Sequence, residues 1–449
     1  MSDTTQRKTL FQISYPLFIY AMLAVAVTFI DTAILANYSE NLAASVSLAN
    51  QILGVAYDLT TLFSVGLLVL VAQYFGNQQF DEARQSASTG LMASLLLGLV
   101  IATVIVIGAP AFTDLVNTPQ EVRGDVLIYL YIIAAALVFN GFIMSAQAAL
   151  MAYGRTFDIL LVGLFSNIVY VPLQYCLIYG AFGLPEMGVY GAALSTLVVR
   201  GGTIVLPIYM LRKRLELDIF ALPHRFWTRS LKMFKLSYPS VAENFAYNLY
   251  QLTVVSMIAA LGVSSVLTRS YALTLTQILF IVTFVISQGN QVLVGHDKGS
   301  GDNEAAFQRG QRTAINTGAV ACLAALVLYF SAETLLALLT KDTEIVASVK
   351  QILLLQTAVA PLNTINVILF NSLKACGDVN RPVLVNLALT FAIALPLTVV
   401  AIKALELGVV GLWYVFIVEE TLKAAAMFWL WRGRRWFALE LVEENRQAA

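Results

Sequence analysis

Apolar and polar residues occupy this chain in long alternating blocks rather than at short intervals. Each apolar block is long enough to cross a bilayer as a helix, which takes about 20 residues. Because lipid offers the backbone no hydrogen-bond partner, spans of this length must be helical. The pattern predicts twelve spans, near residues 9–36, 44–73, 88–112, 126–152, 157–181, 187–211, 234–261, 266–293, 311–339, 345–373, 383–405 and 408–431.

Composition agrees with an all-α polytopic membrane protein. Apolar residues make up 59% of the 449 positions and charged residues 12%, whereas soluble domains average about 45–50% and about 25%. The formal net charge is zero, so nothing in the overall charge indicates nucleic acid as a partner. We expect a monomer surrounded by membrane lipids.

Lysine and arginine are concentrated in alternate loops, which predicts the orientation. Loops of membrane proteins that carry excess Lys and Arg face the cytoplasm. One set of loops holds most of these residues, whereas the alternate set holds little beyond Arg123, Lys341 and Lys403. Both termini should therefore be cytoplasmic, and we expect the cell inner membrane as the location.

The two halves of the chain repeat one another at an offset of 223 residues. Phe11-Gln-Ile-Ser-Tyr-Pro16 returns as Phe234-Lys-Leu-Ser-Tyr-Pro239, and Asn140 returns as Asn363. Near the end of each half, Gly188-Val-Tyr-Gly191 returns as Gly408-Val-Val-Gly411 at an offset of 220. Six is an even number, so the copies share one orientation and should form two pseudo-symmetric six-helix bundles. Transporters place their substrates at such repeat interfaces.

The repeat predicts the domain boundaries. We expect a first six-helix lobe over residues 1–213 and a second over residues 234–436. The basic segment 214–233 should form a cytoplasmic linker, and residues 437–449 a cytoplasmic tail.

Two carboxylates in the first half are candidates for ion coupling, because a charge at bilayer depth is costly and usually functional. Asp31 follows Pro16 by fifteen residues in an otherwise apolar stretch. Asp58 lies near the middle of the second span, beside Thr60. The two could form a hydrogen-bonded pair that shares a proton, or a pair that binds a cation with help from the Thr60 hydroxyl. Bending of the first helix at Pro16 could alter the surroundings of Asp31.

Neutral polar residues in other spans could complete a network around these carboxylates. They are Asn140, Asn167, Tyr170 and Gln174, with Asn363 as the counterpart of Asn140 in the second half. Packing between membrane helices also uses such residues.

Glu243 is the main acidic candidate in the second half. It follows Pro239 by four residues, and Tyr247 follows one turn later on much the same face. This acidic, aromatic stripe favours a substrate cavity.

Other charges within spans are assigned structural roles. Glu419 or Glu420 can reach Lys423 within one helical turn, which would neutralise the charges locally. We expect Arg200 to have a structural role as well. No nucleotide-binding run of the type G-x-x-x-x-G-K-[ST] occurs. His224 and His296 are expected in loops, and no metal constellation includes them.

Four stretches resemble the multidrug and toxic compound extrusion (MATE) transporters of bacteria, over nearly the whole chain. They are the spacing from Pro16 to Asp31, Val71-Ala-Gln-Tyr-Phe-Gly76 with Asp81-Glu-Ala-Arg84, Gln291-Val-Leu-Val-Gly295 with Gly299-Ser-Gly-Asp302, and Pro239-Ser-Val-Ala-Glu243-Asn244.

The resemblance implies efflux of small cationic amphipathic compounds in exchange for H+ or Na+, with no other cofactor. It also implies roles for the first-helix aspartate, here Asp31, and for the seventh-helix glutamate, here Glu243. Some members carry a fifth-helix aspartate where this chain has Asn167 and Gln174. Others carry a tenth-helix aspartate where this chain has Asn363 and Asn366. The coupling ion therefore stays open.

The sequence bears on three other possible functions. A flippase or exporter of lipid-linked or polysaccharide precursors needs a cationic cavity for phosphate, whereas the candidates here are acidic. An intramembrane enzyme needs a catalytic constellation, which the sequence lacks. A non-transporting receptor or scaffold gives no reason for acidic groups within the spans.

Overall fold

The computed structural model describes residues 8–217, 225–337 and 340–442. Nearly all of these residues are helical, and the described ranges contain no β-strand. Arg7 of the basic N-terminus, Pro223 and His224 of the predicted linker, and residues 443–449 of the predicted tail lie outside the described residues.

The chain divides into two compact units, Met1–Val241 and Ala242–Ala449. The division falls inside one helix, so the predicted lobe boundaries stay a prediction. The first unit contains α1 (Leu10–Tyr38), α2 (Glu40–Thr60), α3 (Leu62–Gly76), α4 (Phe80–Leu115), α5 (Gln120–Ala152), α6 (Thr156–Tyr179), α7 (Val189–Thr203), α8 (Val205–Leu215) and the start of α9 (Phe226–Ala259).

The second unit contains the rest of α9 and seven further helices of 5 to 37 residues. These are α10 (Val263–Gly299), α11 (Asn303–Phe330), α12 (Ala332–Leu336), α13 (Thr343–Ala375), α14 (Asn380–Leu389), α15 (Leu395–Val399) and α16 (Gly408–Arg432). Two π-helical turns, Thr390–Ala394 and Val400–Ala404, follow α14 and α15 and continue them as one span.

These helices make twelve spans, six in each half, as the sequence predicted. Ten are long and apolar enough to cross a membrane by length and composition alone. The other two are α9, with 34 residues, and α16, with 25. Both are less apolar because α9 holds Glu243 and several amides, and α16 holds Glu419, Glu420 and Lys423.

Some helix limits differ from the predicted spans. The second span breaks at Thr61 into α2 and α3. The seventh starts at Phe226 rather than near residue 234, so the predicted linker is partly helical. His296 lies in the last turn of α10 and not in a loop, because that helix continues to Gly299.

Each unit has its own apolar core. In the first unit, α2, α4, α5 and α7 bury a cluster that includes Leu53, Leu130 and Ile133. In the second, α9, α13 and α16 bury a cluster that includes Trp413, whose indole donates to Gln356 at 2.9 Å. Close-packed cores of this kind hold polar side chains on the same helices in fixed positions.

Candidate functional site

A polar cavity of about 380 Å³ lies within the first unit, among α1, α2, α5, α6 and α7. Its volume falls within the range of small-molecule sites, roughly 300–1,000 Å³. Asp31 contributes the cavity's carboxylate and Arg200 its guanidinium. The other polar lining residues are Tyr20, Thr28, Asn50, Tyr57, Tyr129, Asn140, Gln147, Ser166, Asn167, Tyr170, Thr196 and Thr203.

Two side chains of α6 donate hydrogen bonds to Asp31 on α1. The Tyr170 hydroxyl lies 3.1 Å from Asp31 Oδ1, and the Gln174 amide nitrogen donates to the same oxygen. Tyr170 and Gln174 are four residues apart, so they lie one turn apart on one face of α6. The site thus joins helices that pack along their length in this unit.

Arg200 on α7 is held by two other helices. Its guanidinium lies 4.9 Å from the ring centre of Tyr57 and donates to Asn140 Oδ1 at 2.8 Å. Asn140 in turn donates to the Thr60 hydroxyl at 2.7 Å. This network fixes a positive charge in the cavity that contains Asp31, a result that the structural role assigned to Arg200 did not anticipate.

The second unit holds a separate polar cluster. Asn386 donates to Glu243 at 3.1 Å, and Gln251 donates to the Tyr247 hydroxyl at 2.5 Å. The side-chain oxygen of Gln251 accepts a hydrogen bond from Arg269 at 3.1 Å. Glu243 and Tyr247 are therefore each fixed by an amide.

Three charged side chains on α16, Glu419, Glu420 and Lys423, have different partners. Lys423 donates to Glu419 at 2.6 Å, and Thr390 donates to the same carboxylate at 2.9 Å. Glu420 instead accepts from Asn366 at 3.1 Å. The sequence predicted that Glu419 or Glu420 would pair with Lys423. Of these two glutamates, Glu419 is the one that contacts Lys423 directly.

The family model MatE matches residues 16–176 and again residues 239–400. The second match starts 223 residues after the first (239 − 16), which is the offset of the internal repeat. The chain belongs to the MATE family. The predicted resemblance is confirmed, and the protein is a multi-pass membrane protein of this transporter family.

Full-length relatives agree with this assignment. "Uncharacterized transporter YisQ" of Bacillus subtilis is 28% identical over 95% of this chain and 94% of its own length. "Probable multidrug resistance protein NorM" of Thermotoga maritima is 23% identical over 96% and 93%. The structure of the Vibrio cholerae MATE transporter VcmN in the bent form has the same fold, with a TM-score of 0.85, 16% identity and coverage of 94% and 95%.

The structure brings most of the predicted first-half residues of this MATE protein together. Asn140 and Asn167 line the cavity, and Gln174 contacts Asp31 directly. Asp58 does not line it among the described residues. Thr60 bonds the backbone oxygen of Tyr57 and accepts from Asn140, so its hydroxyl belongs to the Arg200 network.

The repeat places different chemistry at equivalent contacts. In the first unit, α6 approaches Tyr20 so closely at Gly163 that a Cβ there would lie 2.4 Å from the ring. Adding 223 to each number gives Glu243 and Asn386, which are hydrogen-bonded in the second unit. A shared frame thus carries an aromatic contact in one half and an acid–amide pair in the other.

A second pocket, of about 440 Å³ between α9 and α10, is lined mostly by apolar residues together with Arg269 and Gln277. Its lining contains no carboxylate. Among the described residues, no group of three His, Cys, Asp or Glu side chains could hold a metal ion.

Proposed function

We propose that this protein is a secondary antiporter that exports cationic amphipathic organic compounds in exchange for H+ or Na+ by alternating access. One observation carries the proposal: Asp31 lies in a polar cavity of the first unit, bonded to Tyr170 and Gln174. A carboxylate within a span is costly unless it binds a cation or proton.

Arg200 suggests how binding and release alternate in this cavity. When Asp31 is ionised, its charge offsets that of Arg200, and an organic cation can enter a site with no excess positive charge. When Asp31 takes up a proton or Na+, the charge of Arg200 is no longer offset and repels the organic cation. One carboxylate can therefore hold the coupling ion or assist the substrate, but not both at once.

The remaining candidates keep narrower proposed roles. Asn140 and Asn167 provide neutral hydrogen-bonding groups in the cavity. Glu243, Tyr247 and Asn363 of the second unit form a further substrate contact. Asp58 stays a proposed coupling residue that acts from outside the cavity, and bending at Pro16 stays a proposed way to change the surroundings of Asp31.

The cellular setting completes the proposal. Loop charges support an inner-membrane protein with both termini in the cytoplasm. We propose that it acts as a monomer among membrane lipids. The name of the Thermotoga relative, a probable multidrug resistance protein, supports efflux of drug-like compounds.

Proteoliposome transport tests this function. A fluorescent organic cation such as ethidium is supplied under an imposed proton gradient, and separately under a sodium gradient. Wild type should accumulate the dye with one gradient, and Asp31→Asn should lose at least nine-tenths of that uptake. Asp58→Asn should reduce it less, because Asp58 lies outside the cavity lining. Equal uptake by wild type and Asp31→Asn would contradict the proposal.

The cavity's guanidinium favours a second candidate, export of anionic lipid-linked or polysaccharide precursors. Arg200 could bind a phosphate group as guanidinium groups often do. The same vesicles separate the two functions when they are offered a phosphate-bearing fluorescent lipid. Movement of that lipid without movement of ethidium would support the second candidate.

A further inference from the structure

The pocket between α9 and α10 contains a guanidinium without a carboxylate. Its volume is about 440 Å³, and Arg269 is the charged residue of its lining. Arg269 forms no ion pair with a carboxylate of the residues that the structure describes. A charge within a membrane span is costly, and such groups usually pair with one another or mark a functional site. The pocket therefore offers a positive charge that no described carboxylate neutralises.

Arg269 does not extend to the water at the nearer end of its helix. It lies six residues after Val263, where α10 begins, or about 9 Å along the helix axis. A long cationic side chain near a span end usually reaches toward the interface. Here the guanidinium donates to the side-chain oxygen of Gln251 at 3.1 Å, and Gln251 lies about 12 Å before the end of α9 at Ala259. The amide thus holds the guanidinium at the depth of the pocket.

Most donors of this guanidinium remain available to a ligand. An arginine side chain carries five N–H donors in a planar fork. The bond to Gln251 uses one terminal nitrogen, and the Arg269 side chain forms no other hydrogen bond with the described residues. The second terminal nitrogen and Nε remain, and two such donors match the two oxygens of a carboxylate or phosphate.

Polar side chains continue from Arg269 along the pocket. Ser270, Thr274 and Gln277 are exposed and lie on one face of α10. The Thr274 hydroxyl donates to the backbone oxygen of Ser270 at 2.9 Å, whereas the Gln277 amide has no hydrogen-bond partner among the described residues. Lipid chains cannot satisfy an amide. This face of the span therefore favours a ligand with polar groups, or water, over acyl chains alone.

The rest of the lining is apolar. It consists of Val255 and Ile258 on α9 and Val266, Leu273 and Phe280 on α10. From Arg269 to Phe280, α10 rises about 16 Å, so the charge lies toward one end of an elongated pocket. The volume is within the range of drug-sized ligands, roughly 300–1,000 Å³. A ligand with one alkyl chain and an anionic head matches this shape better than a two-chain phospholipid.

We propose that this pocket binds a single-chain anionic amphiphile, such as a long-chain fatty-acid anion, with its head on Arg269 and its chain running toward Phe280. Charge-assisted hydrogen bonds to the two oxygens of the head supply the specificity. The pocket shares no lining residue with the cavity around Asp31 and Arg200. Binding here goes beyond the proposed antiport and needs no ion gradient, so the failure of either proposal leaves the other standing.

Photo-labelling of the full-length protein in nanodiscs of zwitterionic phosphatidylcholine tests the site. The probe is palmitic acid with a diazirine on its chain, used at a pH where the acid is ionised, and labelled peptides are identified by mass spectrometry. Pocket-lining peptides of α9 and α10 should be labelled, and Arg269→Gln should reduce this labelling by about fivefold or more. Equal labelling of wild type and Arg269→Gln would overturn the proposal.

Two controls isolate the charge. Lys403→Gln removes a cation that lines another pocket of the second unit, and it should leave labelling within about twofold of wild type. The alcohol with the same diazirine chain has no charged head, so it should label the wild-type pocket about as weakly as the acid labels Arg269→Gln. Equal labelling of wild type by the acid and the alcohol would contradict recognition of the head by Arg269.

Further measurements keep the test decisive if Arg269→Gln does not fold. Thr274→Trp fills the pocket from an exposed position and leaves Arg269 and Gln251 in place, so it should also lose the labelling. Labelling that survives this variant would place the ligand elsewhere and overturn the proposal. Unlabelled palmitate should compete with the probe, whereas inorganic phosphate at the same concentration should not. Competition by phosphate, or by two-chain phosphatidic acid but not palmitate, would contradict a single-chain amphiphile.

Discussion

Arg200 and Glu420 occupy equivalent positions in the two repeats, each twelve residues after the glycine that opens the matching motif, Gly188 or Gly408. Arg200 donates to Asn140 at 2.8 Å, whereas Glu420 accepts from Asn366, about one helical turn after Asn363, the counterpart of Asn140. Each repeat therefore places an asparagine against this side chain, which is a cation in the first unit and a carboxylic group in the second. The two halves have acquired different electrostatic roles on the same helix pair.

Removing the positive charge from the first cavity should strengthen organic-cation binding. Two unit charges about 8 Å apart interact by about 2 kcal/mol at an effective dielectric constant of about 20, or roughly 30-fold in affinity. Arg200→Gln should therefore lower the Kd for ethidium by about tenfold or more, measured by fluorescence.

Arg123→Gln is the matched control, because Arg123 pairs with Asp114 at 2.6 Å and does not line this cavity. It should leave the Kd within about twofold of wild type. Weaker cation binding by Arg200→Gln would contradict the repulsion argument and favour an anionic substrate.

The close approach of Gly163 to Tyr20 predicts a steric effect on stability. In Gly163→Val, the new Cβ would lie 2.4 Å from the Tyr20 ring, so Tyr20 or α6 must move. Overpacking of this kind costs about 1–3 kcal/mol. Scanning fluorimetry should show a lower unfolding temperature.

Gly54→Ala provides the comparison, because nothing lies within 4 Å of a Cβ at that helical glycine. It should be neutral or stabilising by about 0.5–1 kcal/mol, since alanine favours helix. Equal destabilisation by both variants would show that the Tyr20 contact is not the cause.

The Glu419–Lys423 pair should behave as a coupled unit. Lys423→Met leaves Glu419 without its 2.6 Å partner and should cost about 3–5 kcal/mol of unfolding free energy. Glu419→Gln with Lys423→Met should recover part of that loss, because no charge is then left unpaired. A double-mutant cycle from denaturant unfolding measures the coupling. Strictly additive losses would contradict the pair.

Asp378, in the turn between α13 and α14, predicts a pH dependence of stability. Burial raises the pKa of its carboxyl above the ordinary value, and Arg381 only partly offsets this. With a raised pKa in the folded state, its stabilising contribution is present at low pH and is lost as pH rises through that pKa. Wild type should therefore gain stability relative to Asp378→Asn as pH falls from neutral toward about 4.

Glu333, which lies outside the spans, should give a pH dependence of stability with the opposite sign. Its hydrogen bond from Lys350 lowers the pKa of its carboxyl, so the contribution is present at neutral pH and is lost as pH falls. Comparing each variant with wild type across the same pH range should give slopes of opposite sign for Asp378→Asn and Glu333→Gln. Slopes of the same sign would contradict the assignments.

The sequence predicted the spans and the repeat because both depend on patterns along the chain. It also named Asn140, Asn167, Tyr170 and Gln174 as neutral groups that could lie near the carboxylates; in the structure, Tyr170 and Gln174 donate to Asp31. The MATE resemblance is likewise carried by short local motifs and is confirmed by the family match.

Which charged side chains contact each other depends on the packing of the helices, which the sequence alone did not reveal. Glu420 is one residue from Glu419, yet the helix turns them toward different neighbours, and only the fold shows that Lys423 contacts Glu419 directly. The sequence identified Arg200 as a charge within a span. It could not identify the partner, because Asn140 lies 60 residues away on another helix. The role assigned to such a charge depends on which helices adjoin it.

The central claim is that Asp31 couples ion movement to organic-cation movement, and the reverse flux tests it most directly. Proteoliposomes without an ion gradient receive an ethidium gradient, and internal pH or Na+ is followed with a dye sensitive to that ion. Wild type should move one of these ions against the ethidium flux, and Asp31→Asn should move neither. Ion movement that persists in Asp31→Asn, or ethidium flux in wild type without any ion movement, would contradict the account.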